Sequence, residues 1–162
     1  MRTLGILIAG TLISTAWAQQ QPMAQAMKTF ASAADIQALI ANAKKIRKDD
    51  QPMVSQPIVR LAPIAANLEY RPAVGPAAVH EKEAEMFYVV DGAATLVTGG
   101  KLVNEKRTNA DNLNGTAIEG GNNQAVAKGD FFIVAENTAH WFTDIKGSAL
   151  VLMSLHIPRG SK

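Results

Sequence analysis

None of the 162 residues is cysteine. Disulfides are therefore excluded in any compartment, as are thiolate zinc sites, and a metal centre in this chain must use nitrogen and oxygen donors. An excess of one charge is also lacking. Sixteen basic against fourteen acidic residues give +2, and only Arg2 among them lies in the first eighteen positions, so the remainder carries about +1. Apart from Lys44, Lys45, Arg47 and Lys48 the basic residues are scattered, which leaves no electrostatic footprint for nucleic acid. That short run suits the C-terminal turn of a helix, where cations complement the macrodipole. Long apolar runs are scarce too. The one candidate, Leu4 to Ala16, is shorter than the roughly 20 residues a membrane-spanning helix needs.

What is present divides the chain into three parts. Arg2, the apolar stretch Leu4 to Ala16 and the small-x-small site Ala16-Trp17-Ala18 read as a secretory signal peptide over residues 1–18, which implies a secreted, periplasmic protein with no membrane attachment after cleavage. Residues 19–31, rich in Gln, Ala and Met, read as a flexible leader. Residues 32–162 form one domain, since this length suits a single core and no repeat is visible. It opens with a helix at 33–48: Ser32 and Asp35 make a capping box, and Ile36, Leu39, Ile40, Ala43 and Ile46 recur at helical spacing. That stripe must rest on a barrel wall or on a partner subunit, and a self-complementary surface of this kind predicts a homodimer.

From Pro52 onward the apolar periodicity becomes that of short strands, near 53–61, 64–71, 85–90, 93–98, 130–134, 139–144 and 149–157, separated by Pro, Gly and Asn. The pattern predicts an all-β antiparallel sandwich or barrel. Asp91-Gly92 and Gly99-Gly100 read as turns, the first closing a hairpin. Residues 103–124, polar and Asn-rich, read as a long loop or loose hairpin covering the barrel mouth.

Two segments carry the chemistry. The first runs from Gly75 through His80 and Glu85 to Gly92, and the second from Gly129 to His140 and Asp144. Together they resemble the two motifs of the cupin superfamily, in which the first holds two His, a Glu and a turn Gly, and the second a Gly, a Pro-containing bend, a His and an Asn. Glu85 with Gly92 and Gly129 with His140 keep the family's spacings. One motif His is missing, its place taken by Lys82 or Ala78 depending on register, and Ala135, Asn137 and Asp144 stand where the family has Pro, Gly and Asn. The resemblance implies a jelly-roll β-barrel with a metal inside its mouth on His80, Glu85 and His140.

Strand alternation agrees with that ligand set. It places Glu85, Phe87 and Val89 on one face and His140, Phe142 and Asp144 on another, so that two imidazoles and a carboxylate meet above an aromatic floor of Phe87 and Phe142, candidate walls of a substrate pocket. Two His and one carboxylate suit one divalent ion, Fe, Mn, Ni or Zn. Tyr88 and Trp141 fall on the opposite faces, and Lys82 sits in a charged turn. His156 has no motif partner and is expected to be structural or exposed, dispensable for metal binding. The implied function is a metal-dependent enzyme acting on a small polar metabolite, with a non-catalytic module binding a small molecule or the metal as the alternative. The resemblance selects no reaction, since relatives include dioxygenases, isomerases and decarboxylases, and no catalytic acid or base facing the metal can be picked from the sequence. Cleavage after Ala18 predicts a mature protein beginning at Gln19. Intact mass of protein recovered from the periplasm checks this, and a species retaining residues 1–18 would exclude it.

Overall fold

The computed structural model describes residues 27–158. The signal reading of 1–18 and most of the leader reading lie outside the described residues. Lys28 already exchanges backbone hydrogen bonds with Arg60, at 3.0 and 2.7 Å, so paired structure begins ahead of the boundary expected at Ser32. No helix among the described residues is long and apolar enough to cross a membrane.

Helix α1 (Ala33–Ile46) starts as the sequence predicts. Ser32 Oγ accepts from the Asp35 N–H at 3.2 Å, and the Ser32 N–H donates to Asp35 Oδ2 at 2.8 Å. It ends at Ile46, short of residue 48, because Arg47 is extended and its guanidinium is tied to the carbonyls of Asp49 and Gln51. The stripe Ile36, Leu39, Ile40 and Ala43 rests on Val54 and Ile58 of β1 (Val54–Leu61) and Leu68 and Tyr70 of β2 (Ile64–Arg71). A barrel wall is therefore its support. The surface that was to make a homodimer self-complementary is buried within the chain.

The other strands are β3 (Ala77–His80), β4 (Glu83–Thr98), β5 (Lys101–Val103), β6 (Lys106–Arg107), β7 (Asn112–Gly115), β8 (Ala117–Glu119), β9 (Asn122–Ala127), β10 (Phe131–Val134) and β11 (His140–Pro158). Every pairing is antiparallel. One path of the main sheet runs β1-β2-β11-β3-β7-β6, β4 pairs with β9, β10 and β11, and β5 pairs separately with β8. This is the antiparallel jelly-roll architecture expected.

Two sequence expectations are corrected and a third is narrowed. Asp91-Gly92 does not close a hairpin: β4 continues through it, because both halves pair with β11 instead of with each other. Gly92 bends the strand at φ 83°, where a Cβ would lie 2.2 Å from the Ala149 carbonyl oxygen. The segments 139–144 and 149–157 are likewise one strand, β11, whose register slips between Thr143 and Val151 around the positive-φ residues Asp144 and Gly147. Finally, residues 103–124, expected as a long loop or a loose hairpin, take the hairpin form: β5 pairs with β8 and β6 with β7, and half-buried β7 also pairs with β3 so that Asn112 stands opposite His80. Their composition reflects exposure, and they do reach the mouth of the roll.

The two bent strands decide where the ends go. His140 pairs with Thr98 at one end of β4, and His156 pairs with Glu85 at its other end. Between them, Leu150 and Leu152 point into the interior with Phe87, Val89, Leu96 and Phe142, while Ala149 and Val151 face the cluster beneath α1. Burial on both faces explains the unbroken apolar run of β11. The bend at Gly92 predicts that Gly92→Ala destabilises the protein by more than the about 1–2 kcal/mol that a left-handed backbone costs an L residue. Gly129→Ala, at φ 95° with nothing within 4 Å of the added Cβ, should cost only that conformational part. Chemical denaturation of the two variants checks this, and equal losses would contradict it.

Candidate metal centre

Glu85 is buried, at 3% exposure, and all three described histidines converge on it. His80 Nε2 lies 3.2 Å and His140 Nε2 3.3 Å from Glu85 Oε2, while His156 Nε2 lies 3.2 Å from Oε1. His80 closes β3, Glu85 opens the inward face of β4, and His140 and His156 come from the two ends of β11. The structure thus brings together His80, Glu85 and His140. It also brings in His156, expected without a partner, whose Nε2 meets Glu85 Oε1. The donor atoms of His80, Glu85 and His156 all lie within 4.8 Å of one another; His140 is outside that group and approaches it through Glu85 Oε2 alone, at 3.3 Å. A third imidazole thus comes from a residue more than seventy positions after Glu85, which strand alternation within one motif could not have found. The cross-strand register His156↔Glu85 is the signal, and it exists only once β4 and β11 are paired.

The donor chemistry fits a metal. Each ring turns Nε2 toward the centre and Nδ1 toward an oxygen on the outside: Asn112 Oδ1 at 2.7 Å for His80, the Thr138 carbonyl at 3.5 Å for His140, and Glu83 Oε2 at 3.1 Å, not well aligned, for His156. With Nδ1–H of His80 donating to Asn112, its Nε2 lone pair is free for an ion. Outer oxygens that fix the tautomer in this way are the usual companions of ligating imidazoles. His80, Glu85 and His156 could hold one divalent ion such as Fe, Mn, Ni or Zn, with the His140 imidazole beside Glu85. The turns that carry them explain the motif departures. Asn137, at φ 55°, donates its N–H to the His80 carbonyl, and Asp144 lies at φ 50°. Asn and Asp take this left-handed region most readily among non-glycine residues.

Charges are coupled across the cluster. Burial opposes the Glu85 charge, yet hydrogen bonds from His140, His156 and His80 outweigh it and hold the carboxyl far below its usual range. Burial lowers the His80 pKa, but its bonds to Glu85 and Asn112 carry it above the ordinary value. His156 is raised by its hydrogen bond to Glu85, against burial.

The cluster opens into a cavity of about 410 Å³ whose wall includes Ser55, Asn67, Glu69, Arg71, Asn114 and the apolar residues Pro52, Met53 and Pro76. Phe87 and Phe142, expected as substrate-pocket walls, lie beneath it instead. They are 0% and 2% exposed and pack edge to face at 5.3 Å, with Phe132 stacked on Phe87. They are floor, not lining. Trp141 donates to the Gly75 carbonyl at 2.8 Å, Tyr88 is exposed, and Lys82 pairs on the surface with Asp111.

Glu69 and Arg71 went unnoticed in the sequence, for a physical reason. Because α1 covers the outside of β2, its apolar residues Leu68 and Tyr70 face outward and the alternate polar ones, Asn67, Glu69 and Arg71, face the cavity. Read alone, such a strand puts its polar face in water.

No protein-family model matches the sequence, and no curated protein matches it. Solved structures do. An uncharacterized conserved protein with a double-stranded β-helix domain from Klebsiella pneumoniae aligns at 12% identity and TM-score 0.51, covering 74% of this chain and 83% of that one. The cupin domain of Schizosaccharomyces pombe Cnp3 aligns at 14% and 0.50, covering 72% of each. Iron(II) HppE aligns at 18% and 0.51, covering 69% of this chain and 53% of that one. At these identities the likeness is one of fold, and that fold is the cupin, or double-stranded β-helix, barrel.

The cluster predicts an unusual pH response in protein stripped of metal. Because His80 and His156 are raised, their contribution to stability is complete below about pH 6.5 and is lost as pH rises through their folded values. The Glu85 contribution is present above about pH 4.5 and is lost progressively as pH falls below that value. The thermal unfolding midpoint of the stripped protein should therefore fall as pH rises above about 6.5, and Glu85→Gln should flatten that slope. A wild-type midpoint that is level or rising over this window would contradict the coupling.

Proposed function

We propose that this cupin-fold chain is an exported, metal-dependent enzyme acting on a small polar metabolite. The observation that carries the proposal is that a second buried carboxylate, Glu69, faces the same cavity as the four-donor cluster. A binding module needs only the ion or the pocket, whereas turnover also needs a group to move a proton. Glu69 is 5% exposed, with Oε1 accepting from Ser154 Oγ at 2.7 Å and Oε2 from Arg71 Nε at 2.8 Å. In this reading Glu69 is the group that would take a proton from a bound molecule and return it.

The proposed ligands are His80, Glu85, His140 and His156. A divalent ion held there would act as a Lewis acid on an oxygen of the bound molecule. Asn112 keeps the His80 ring turned, and Pro52, Met53 and Pro76 supply apolar wall to the cavity. Export rests on Arg2, Leu4 to Ala16 and Ala16-Trp17-Ala18, which support a periplasmic location.

Purified protein should take up about one first-row divalent ion per chain. His80→Ala, Glu85→Ala, His140→Ala and His156→Ala should each abolish or strongly weaken binding, and Asn112→Ala should weaken it about 10–100-fold, as expected for a residue that orients a ligand. Binding should also weaken as pH falls toward about 5, because the imidazoles must be neutral to ligate. Metal analysis and competition titration of these variants decide the matter. A wild type that cannot be loaded with Mn(II), Fe(II), Ni(II) or Zn(II) would end the metal reading.

A further inference from the structure

Arg71 stands in the cavity in a way that its pairing with Glu69 does not exhaust. Its Nε and Nη2 both reach Glu69 Oε2, at 2.8 and 2.6 Å, so one edge of the guanidinium is committed. Among the described residues Nη1 has no protein partner. The group also lies over the Phe142 ring, with Cζ 5.0 Å from the centroid, which fixes its plane. Its side chain is 15% exposed, and the exposure opens onto the cavity that holds His80, Glu85, His140 and His156. A guanidinium clamped on one edge by a carboxylate and on one face by an aromatic ring has already lost its rotamer freedom, so a ligand that meets its free edge does not bear that ordering cost.

From this geometry we propose that the free edge of Arg71 is the recognition site for a carboxylate, and that the cavity takes a small monocarboxylate ligand. The proposal rests on the metal-enzyme reading of the same cavity. The planar fork of N–H donors matches a carboxylate, with short charge-assisted bonds. The charge balance favours a monoanion. Arg71 cancels Glu69, and a divalent ion over Glu85 and three neutral imidazoles leaves one positive charge. One carboxylate neutralises it, whereas a doubly charged phosphate would overshoot beside two fixed carboxylates. A purely structural Arg71 would serve only to neutralise Glu69. That role needs neither the open edge nor the cavity position.

The test compares acids with their uncharged counterparts. Binding of glycolate, lactate, mandelate and gluconate, each against its primary amide and alongside inorganic phosphate, is measured by calorimetry on Zn(II)-loaded wild type. At least one acid should bind about tenfold or more tightly than its amide, the scale of one charge-assisted hydrogen bond. Arg71→Lys should keep part of that preference and Arg71→Met should lose it. Since Arg71→Met leaves Glu69 buried without its cation, the double variant Glu69→Gln/Arg71→Met serves as the folded control and should also show no preference. Metal content measured on the same samples should stay near one ion per chain. No acid–amide preference in the wild type, a preference that survives Arg71→Met, or tighter binding of phosphate than of every acid would each overturn the proposal. If the wild type takes up no ion, the metal reading fails by itself, and the acid–amide comparison on that protein still reads out Arg71.

Discussion

A carboxylate buried among three imidazoles is the constraint on which this structure turns. Glu85 is almost without solvent, and a carboxylate so placed must be met by donors or neutralised. His80, His140 and His156 supply them, and they arrive from three strand ends that are far apart in sequence. Bringing them together requires β4 and β11 to bend and remain paired, which is why Gly92 and Gly147 carry positive φ and why the register slips in the middle of β11. The hinge glycines sit away from the cluster, and the cluster depends on them.

The second constraint is the layer formed by α1. By covering the outer face of β1 and β2, the helix reverses the usual sense of those strands. Val54, Ile58, Leu68 and Tyr70 are buried beneath it, and Ser55, Asn67, Glu69 and Arg71 are left to line the cavity. Gln56 is drawn into the helix contact, accepting from Asn42 Nδ2 and donating to the Leu39 carbonyl. A helix that looks like a packing accessory therefore sets the polarity of one wall of the site. The opposite wall is set by the Asn-rich flap, whose strand β7 carries Asn112 to His80 and is held by the Arg107–Glu81 ion pair at its rim.

These two layers give the cavity a division of labour. Nitrogen donors gather at one place, and a fixed carboxylate–guanidinium pair stands on the β2 wall, steadied by Ser154 and by the face of Phe142. The aromatic floor separates both from the core, so the polar groups are ordered by packing below and hydrogen bonds at the sides. Such rigidity is what a site needs to orient a small molecule.

Local pattern determined much of this. The absence of Cys excluded sulfur ligation, the Ser32–Asp35 box marked the helix start, and alternation along 85–89 and 140–142 put Glu85, Phe87, His140 and Phe142 inward, because those signals span a few residues of one element. The motif spacings likewise pointed to the cupin fold and to three of the four converging residues. What needed tertiary structure was every relation between elements. Asp91-Gly92 is a hairpin turn or a bend according to which strand it pairs with, and the partner is β11. His156 is a surface residue or a neighbour of Glu85 according to a register set some seventy positions away in the chain. Glu69 and Arg71 face water or a cavity according to whether a helix covers the other side of their strand. In each case the deciding free energy is burial against a distant segment, and a period-two pattern fixes only that two faces differ, not which one faces inward.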